Sequence, residues 1–216
     1  MLFAAPALLA LAVGAAADPV PVSAPRAVEP LRIAVLVDTS QAVQPHVNDL
    51  RMALRSFFRD MQSGSEIALF EFGDRPTLLM DYTNDPARLE RGVGRLFART
   101  GSGAYALDAL VEASRGLRAK ETGGKPVIVV ISTEGPEFSQ RYHESVIEEV
   151  EKTGATLHSF VLDRRRRVSL LNDGMREREL TLEKGARVTG GRREHLLTSM
   201  ALADRLRVLA VDLKTQ

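Results

Sequence analysis

The chain has 216 residues, 44% hydrophobic and 26% charged, which suits one good-sized globular domain and is short for two ordinary ones. Lys plus Arg number 29 against 28 Asp plus Glu, a net charge of +1, so nucleic-acid binding driven by bulk charge is excluded. Trp and Cys are absent and aromatics make up 5%, which excludes disulfides and thiol chemistry and argues against stacking platforms for bases or sugars.

Leu2–Val13 is an apolar run followed by Gly14-Ala15-Ala16-Ala17. It reads as a signal peptide over residues 1–17, with Asp18 as the mature start and a secreted or periplasmic destination. The alternative is a retained N-terminal anchor, since no Lys or Arg precedes the run. Once the run is cleaved, no membrane span is expected. Residues 18–30 (DPVPVSAPRAVEP) hold four prolines and read as an extended leader. The domain is expected over residues 31–216.

Leu31–Val37 is nearly all aliphatic and then stops at Asp38-Thr39-Ser40. Such a run predicts a strand buried on both faces. Val43, Val47, Leu50, Leu54 and Phe57 recur at helical spacing up to Ser63-Gly64. Glu66–Phe72 predicts a second strand. After the turn Gly73–Pro76, Thr77–Tyr82 predicts a third, antiparallel to it because the connection is too short for a crossover. Pro86–Ala98 reads as a helix with Asp85 as N-cap. A Gly-rich turn, Thr100–Ala104, leads into a helix over Ala106–Ala119.

Pro126–Ser132 is the second doubly buried strand, and it too ends in polar residues, Thr133-Glu134-Gly135. Arg141–Thr153 reads as an amphipathic helix and Thr156–Leu162 as a strand, followed by the charged loop Asp163–Arg167. Glu177–Thr189 predicts a helix closed by Gly190-Gly191. His195–Leu197 predicts a short edge strand, and Leu202, Leu206, Leu209 and Leu213 stripe a final helix. The alternation predicts an α/β fold: a doubly wound, mostly parallel central sheet with one antiparallel edge strand and helices on both faces.

In such a sheet three polar loops converge on one rim at the strand carboxyl ends: Asp38–Ala42, Gly101–Tyr105 and Thr133–Glu137. The stretches IAVLVDTSQA, GSGAYALDAL, VIVVISTEG and ARVTGG resemble the von Willebrand factor type A (VWA) domain with its metal-ion-dependent adhesion site. The resemblance runs from about Leu31 to Leu213. It implies a bacterial secreted protein-binding module rather than an enzyme.

The family's metal site is Asp-x-Ser-x-Ser on the first loop, Thr on the second and Asp on the third. The resemblance carries Asp38, Ser40 and Glu134 over as metal-site positions. Ala42 and Ala104 stand where hydroxyl ligands belong, and Glu134 is a methylene longer than Asp. Mg²⁺ wants six oxygens in octahedral geometry, and two methyl groups offer none. Ser102 is a substitute ligand only if the second loop shifts by two residues. The site is therefore read as degenerate: no cofactor is expected, with Mg²⁺ or Mn²⁺ as the alternative, and Asp38 and Ser40 cap and brace the loop.

The expected partner is a protein, and no nucleic acid. Its binding rim comprises Thr39, Gln41, Ser102, Tyr105, Glu137, Arg164 and Arg165, with Pro136 and Phe138 as apolar contacts. The competing reading of the arginine run is a solvated loop balanced by acidic residues. Two other functions stay open: a hydrolase using Asp38 as nucleophile or base and Glu134 as acid, and a structural envelope component. No Gly-x-Gly-x-x-Gly or Gly-x-Ser-x-Gly motif is present. His46, His143, His158 and His195 are scattered and read as surface or packing residues.

Overall fold

The structure, a computed structural model, describes residues 30–119, 123–162 and 173–215. The expected signal peptide and nearly all of the leader lie outside the described residues, as does the Asp163–Arg167 loop with Arg164 and Arg165.

Six strands form one sheet: β1 (Leu31–Val37), β2 (Ser65–Glu71), β3 (Thr77–Thr83), β4 (Lys125–Thr133), β5 (Thr156–Leu162) and β6 (Arg193–Leu196). Their order is β3-β2-β1-β4-β5-β6. All neighbours are parallel except β2 and β3. β1 is central because every one of its residues can be buried. Ile33, Val35 and Val37 join a core with α1 (Val47–Met61), α2 (Pro86–Gly94) and α6 (Leu202–Thr215). Ala34 and Leu36 face the other core, closed by α3 (Ala106–Ala119), α4 (His143–Glu151) and α5 (Asp173–Val188). Among the described residues no helix is long and apolar enough to cross a membrane.

The boundaries differ from expectation where local chemistry intervenes. Pro45 has no N–H to donate, so Gln41–His46 forms a 3-10 turn and the α-helix begins only at Val47. α2 stops at Gly94 rather than Ala98: Arg95 and Leu96 donate to Gly92 and Val93, tightening the last turn. α4 begins at His143 rather than Arg141, because the Glu177 carboxylate accepts the His143 backbone N–H at 2.7 Å.

The Thr-Gly-Gly stop of α5 has a packing reason. Thr189 Oγ1 accepts the Leu157 N–H at 2.9 Å, tying the helix end to β5. Gly190 has φ +73°, and a Cβ on Gly191 would lie 1.8 Å from the Leu157 carbonyl oxygen. From β1 the chain builds outward to β2 and β3 on one side and then to β4, β5 and β6 on the other, and this switch between the parallel neighbours β1 and β4 places the crevice of the sheet beside the loops that follow them.

Candidate functional site

Asp38 begins the loop after β1 and is fully buried. Its Oδ1 accepts the Ser40 N–H at 2.8 Å. Its Oδ2 accepts both the Thr133 N–H at 3.0 Å and the Thr133 hydroxyl at 2.5 Å. The carboxylate thus bridges the ends of β1 and β4. The loop-bracing role expected for Asp38 is what the geometry provides. Ser40 supplies no side-chain cap to the 3-10 turn, and its Oγ is buried without a hydrogen-bond partner.

The second loop is joined to the first directly. Thr39 Oγ1 accepts the Gly73 N–H at 3.1 Å, and its carbonyl accepts the Arg99 N–H at 2.8 Å. Gln41 Oε1 accepts the Gly101 N–H at 3.0 Å, and its N–H reaches the Ser102 carbonyl at 3.3 Å. Ser102 Oγ donates to the Arg99 carbonyl at 2.9 Å. Gln41 is exposed and Ser102 half-buried, but Thr39 is 1% exposed. Thr39 is therefore corrected from a partner contact to a loop brace.

The third loop lies along the second. Ala104 donates to the Pro136 carbonyl and accepts from Phe138, each at 2.8 Å. This pairing turns Glu137 inward, where it is 1% exposed. Its Oε2 accepts the Ala106 N–H at 3.2 Å, capping α3 from outside the helix, and its Oε1 accepts the Ser139 N–H at 3.2 Å. Arg178 of α5, also 1% exposed, lies 3.7 Å from Glu137 Oε2 and donates to the Gly135 carbonyl at 3.1 Å. Burial pushes the Glu137 carboxyl above its usual range, against the pull of Ser139, Arg178 and Ala106. Glu137 is thus corrected from a partner contact to the centre of a buried staple.

Beside Gln41 and Pro136 the rim exposes Phe138, at 49%, while Tyr105 and Glu134 are half-buried; Tyr142, just before α4, is 75% exposed. The Tyr105 and Phe138 ring centroids are 6.1 Å apart at 46°. Gly103 is required here: a Cβ on it would lie 2.0 Å from the Phe138 ring.

The donor set does not fit an octahedral ion. The Ala42 methyl faces Gly135, where an added Cβ would meet it at 2.7 Å. Ala104 is fully buried and held by loop three, so the second loop does not shift and Ser102 stays directed at Arg99. Asp38 is already engaged by three donors. Of the first-loop pair, only the Ser40 hydroxyl is buried without a hydrogen-bond partner. An ion held 100-fold above its dissociation constant adds about 2.7 kcal/mol to stability. Titrating Mg²⁺ or Mn²⁺ should leave the melting midpoint without a saturable rise, and differential scanning fluorimetry checks it.

One cluster escaped the sequence reading. His143 Nδ1 lies 2.8 Å from Glu177 Oε2, and its Nε2 lies 3.0 Å from both Glu144 Oε1 and Lys184 Nζ. Ligand atoms of the three acid and imidazole residues fall within 4.8 Å of one another. Each imidazole nitrogen already has a protein partner, so the cluster ties α4 to α5. The His143 backbone N–H, and then its ring, hold the Glu177 carboxyl below its usual range. Only three-dimensional proximity assembles this group; its spacing in sequence matches no ligand pattern.

Comparison with known proteins agrees with the fold. A family model described as von Willebrand factor type A domain matches residues 33–135. No curated protein matches the chain in sequence. Among solved structures, the von Willebrand factor type A protein from Catenulispora acidiphila superposes with a TM-score of 0.67 at 14% identity, over 86% of this chain and 43% of that one. The conserved hypothetical protein BatB from Bacteroides thetaiotaomicron gives 0.65 at 13%, over 86% of this chain and 100% of that one. The pilus adhesin SpaC from Lactobacillus rhamnosus GG gives 0.65 at 14%, over 86% of this chain but 30% of the adhesin. At these identities the likeness is one of fold.

Proposed function

The chain carries a von Willebrand factor type A domain, and on that premise we propose that it is a non-catalytic, extracytoplasmic protein–protein interaction module whose rim works without a metal ion. The observation that carries this reading is the set of direct bonds between the rim loops. Asp38 to Thr133 joins the first and third loops. Thr39 and Gln41 join the first to the second. Ala104 to Pro136 and Phe138, with Glu137 to Ala106, joins the second to the third. A metal ion that held three loops together would be redundant here.

The partner surface then consists of what these bonds leave outside: Gln41, Ser102, Tyr105, Pro136 and Phe138; the sequence adds Arg164 and Arg165, which lie outside the described residues. The arginines would add bidentate contacts to acidic groups of the partner. The apolar run and small-residue stretch over residues 1–17 support export. One fold relative is a pilus adhesin, and an adhesive role is compatible with this reading. The hydrolase reading loses support because Asp38 is fully buried with both oxygens bonded, so a substrate has no path to it.

The test is capture from an envelope extract on the tagged chain, with and without EDTA. Retention should be equal in both, and should fall about tenfold in the rim variant Phe138→Ala/Tyr142→Ala, the effect of losing one or two exposed aromatic anchors. Capture that vanishes in EDTA would sink the metal-free reading. Capture indifferent to the aromatic substitutions would remove the rim as the contact surface.

A further inference from the structure

We propose that the exposed aromatic side chains of the rim receive the proline-rich leader, residues 18–30, of a second copy of this chain. The inference rests on the rim being an interaction surface and names an occupant for it.

The patch has the chemistry for such a ligand. Phe138 lies over Gly103 and tilts against Tyr105, so its exposed half is a fixed apolar plane. Tyr142 stands 75% exposed four residues further on. Neither the Tyr105 nor the Tyr142 hydroxyl has a hydrogen-bond partner among the described residues. Fixed aromatic rings flanked by free phenolic donors suit a polyproline II segment. Its prolines stack on the rings, and its carbonyls, unused by any internal hydrogen bond, accept from the hydroxyls.

The chain supplies one segment of that kind. Of its 10 prolines, Pro19, Pro21, Pro25 and Pro30 fall within residues 18–30, and the other six are isolated. Where this segment ends decides which copy it reaches. The Pro30 carbonyl accepts the Lys125 N–H at 2.8 Å, which fixes the leader's exit at the amino ends of β1 and β4, opposite the rim. A seven-residue strand such as β1 separates the two ends of the sheet by about 23 Å. Residues 18–29 in a polyproline II helix extend about 37 Å. Laying six of them on the patch uses about 19 Å and leaves about 18 Å, too little to climb the sheet and round α3. The rim of one copy therefore takes the leader of another. The contact is head-to-tail, a heterologous arrangement that builds rings or open chains.

The test uses a fluorophore-labelled peptide of residues 18–30 titrated with the full chain and read by anisotropy. Saturable binding is expected. A peptide carrying Pro19→Ala, Pro21→Ala and Pro25→Ala should bind about tenfold more weakly, as should the chain carrying Gly103→Ala, which pushes the Phe138 ring off its seat while keeping the ring itself. Tyr142→Ala, at a 75% exposed position where folding is undisturbed, should weaken binding several-fold. Arg59→Ala near the far end of α1 should leave it unchanged. In sedimentation velocity the full chain should gain mass with concentration, and Gly103→Ala should abolish the gain. No saturation up to about 1 mM, or equal binding by the Gly103→Ala and Tyr142→Ala variants, would overturn the proposal. If the peptide fails while the aromatic variants still lose the captured envelope partner, the leader is overturned as occupant and the rim keeps its role.

Discussion

Replacing Arg178 with Met should destabilise the domain by about 3–5 kcal/mol, the usual consequence of leaving one member of a buried ion pair behind. For a domain of this size that is a fall in melting midpoint of roughly 6–20 °C. Met keeps most of the volume, so the loss is electrostatic rather than a cavity. Glu137, at 1% exposure, would keep its backbone donors from Ala106 and Ser139 and lose the Arg178 cation, and the Gly135 carbonyl would lose its bond from Arg178. A thermodynamic cycle separates this from a general weakening of α5. The double variant Arg178→Met/Glu137→Gln removes both charges of the pair, so it should be about 1–3 kcal/mol more stable than the two single losses added together. Additive losses, measured by urea unfolding of the four proteins, would remove the ion pair as the staple of the third loop.

That staple was illegible in the sequence for a physical reason. Glu137 and Arg178 come from different elements, and no spacing rule links them. A polar residue in a loop after a strand is ordinarily solvated, so Glu137 reads as a surface residue. Here the loop pairs with Ala104 in a short bridge and alternates like a strand. Pro136 and Phe138 point out while Glu137 and Ser139 point in. The usual polarity is inverted because the first turn of α3 needs an acceptor for its N–H groups. One signal was present: Met175, Arg178, Leu182 and Ala186 fall at helical spacing on the buried face of α5. An arginine within an apolar stripe announces a buried partner.

The parts that could be read were those set by periodicity. Two aliphatic runs that end abruptly at Asp38 and Thr133 gave the central strands β1 and β4. The four-residue connection before Thr77 gave the antiparallel edge. The roles of Asp38 and Thr39 were harder to separate, since both are buried and both brace loops. Asp38 does so through β4, and Thr39 through Gly73. Asp38, which the resemblance makes a metal-site position, holds backbone amides here. A sequence pattern alone does not distinguish these two uses of an aspartate.

Acidification should cost this domain about 2 kcal/mol by pH 5 and about 3 kcal/mol by pH 4 through one residue, His158. Its side chain enters the core from β5 at 3% exposure. Nδ1 accepts the Arg192 backbone N–H at 3.3 Å, so the ring proton sits on Nε2, which has no hydrogen-bond partner. The ring is held neutral. Burial lowers its pKa from 6.5 to about 4, helped by the Arg192 cation and opposed by Asp212. The sign follows from the unfolded chain binding the proton first. Above pH 6.5 both states are neutral and the full stability is present. As pH falls from 6.5 toward 4 only the unfolded state charges, and stability drains away. Below about 4 both states are protonated and the loss levels off. Glu137 titrates with the opposite sign, since its pKa is raised on folding, and other groups add their own slopes. The measurement is therefore a difference. His158→Asn keeps an acceptor where Nδ1 stands and removes the titration, so urea unfolding of the two proteins from pH 7 to pH 4 isolates the histidine. The wild-type curve should fall by about 3 kcal/mol more than the variant's. Parallel curves would show that His158 is hydrated or already charged in the folded domain.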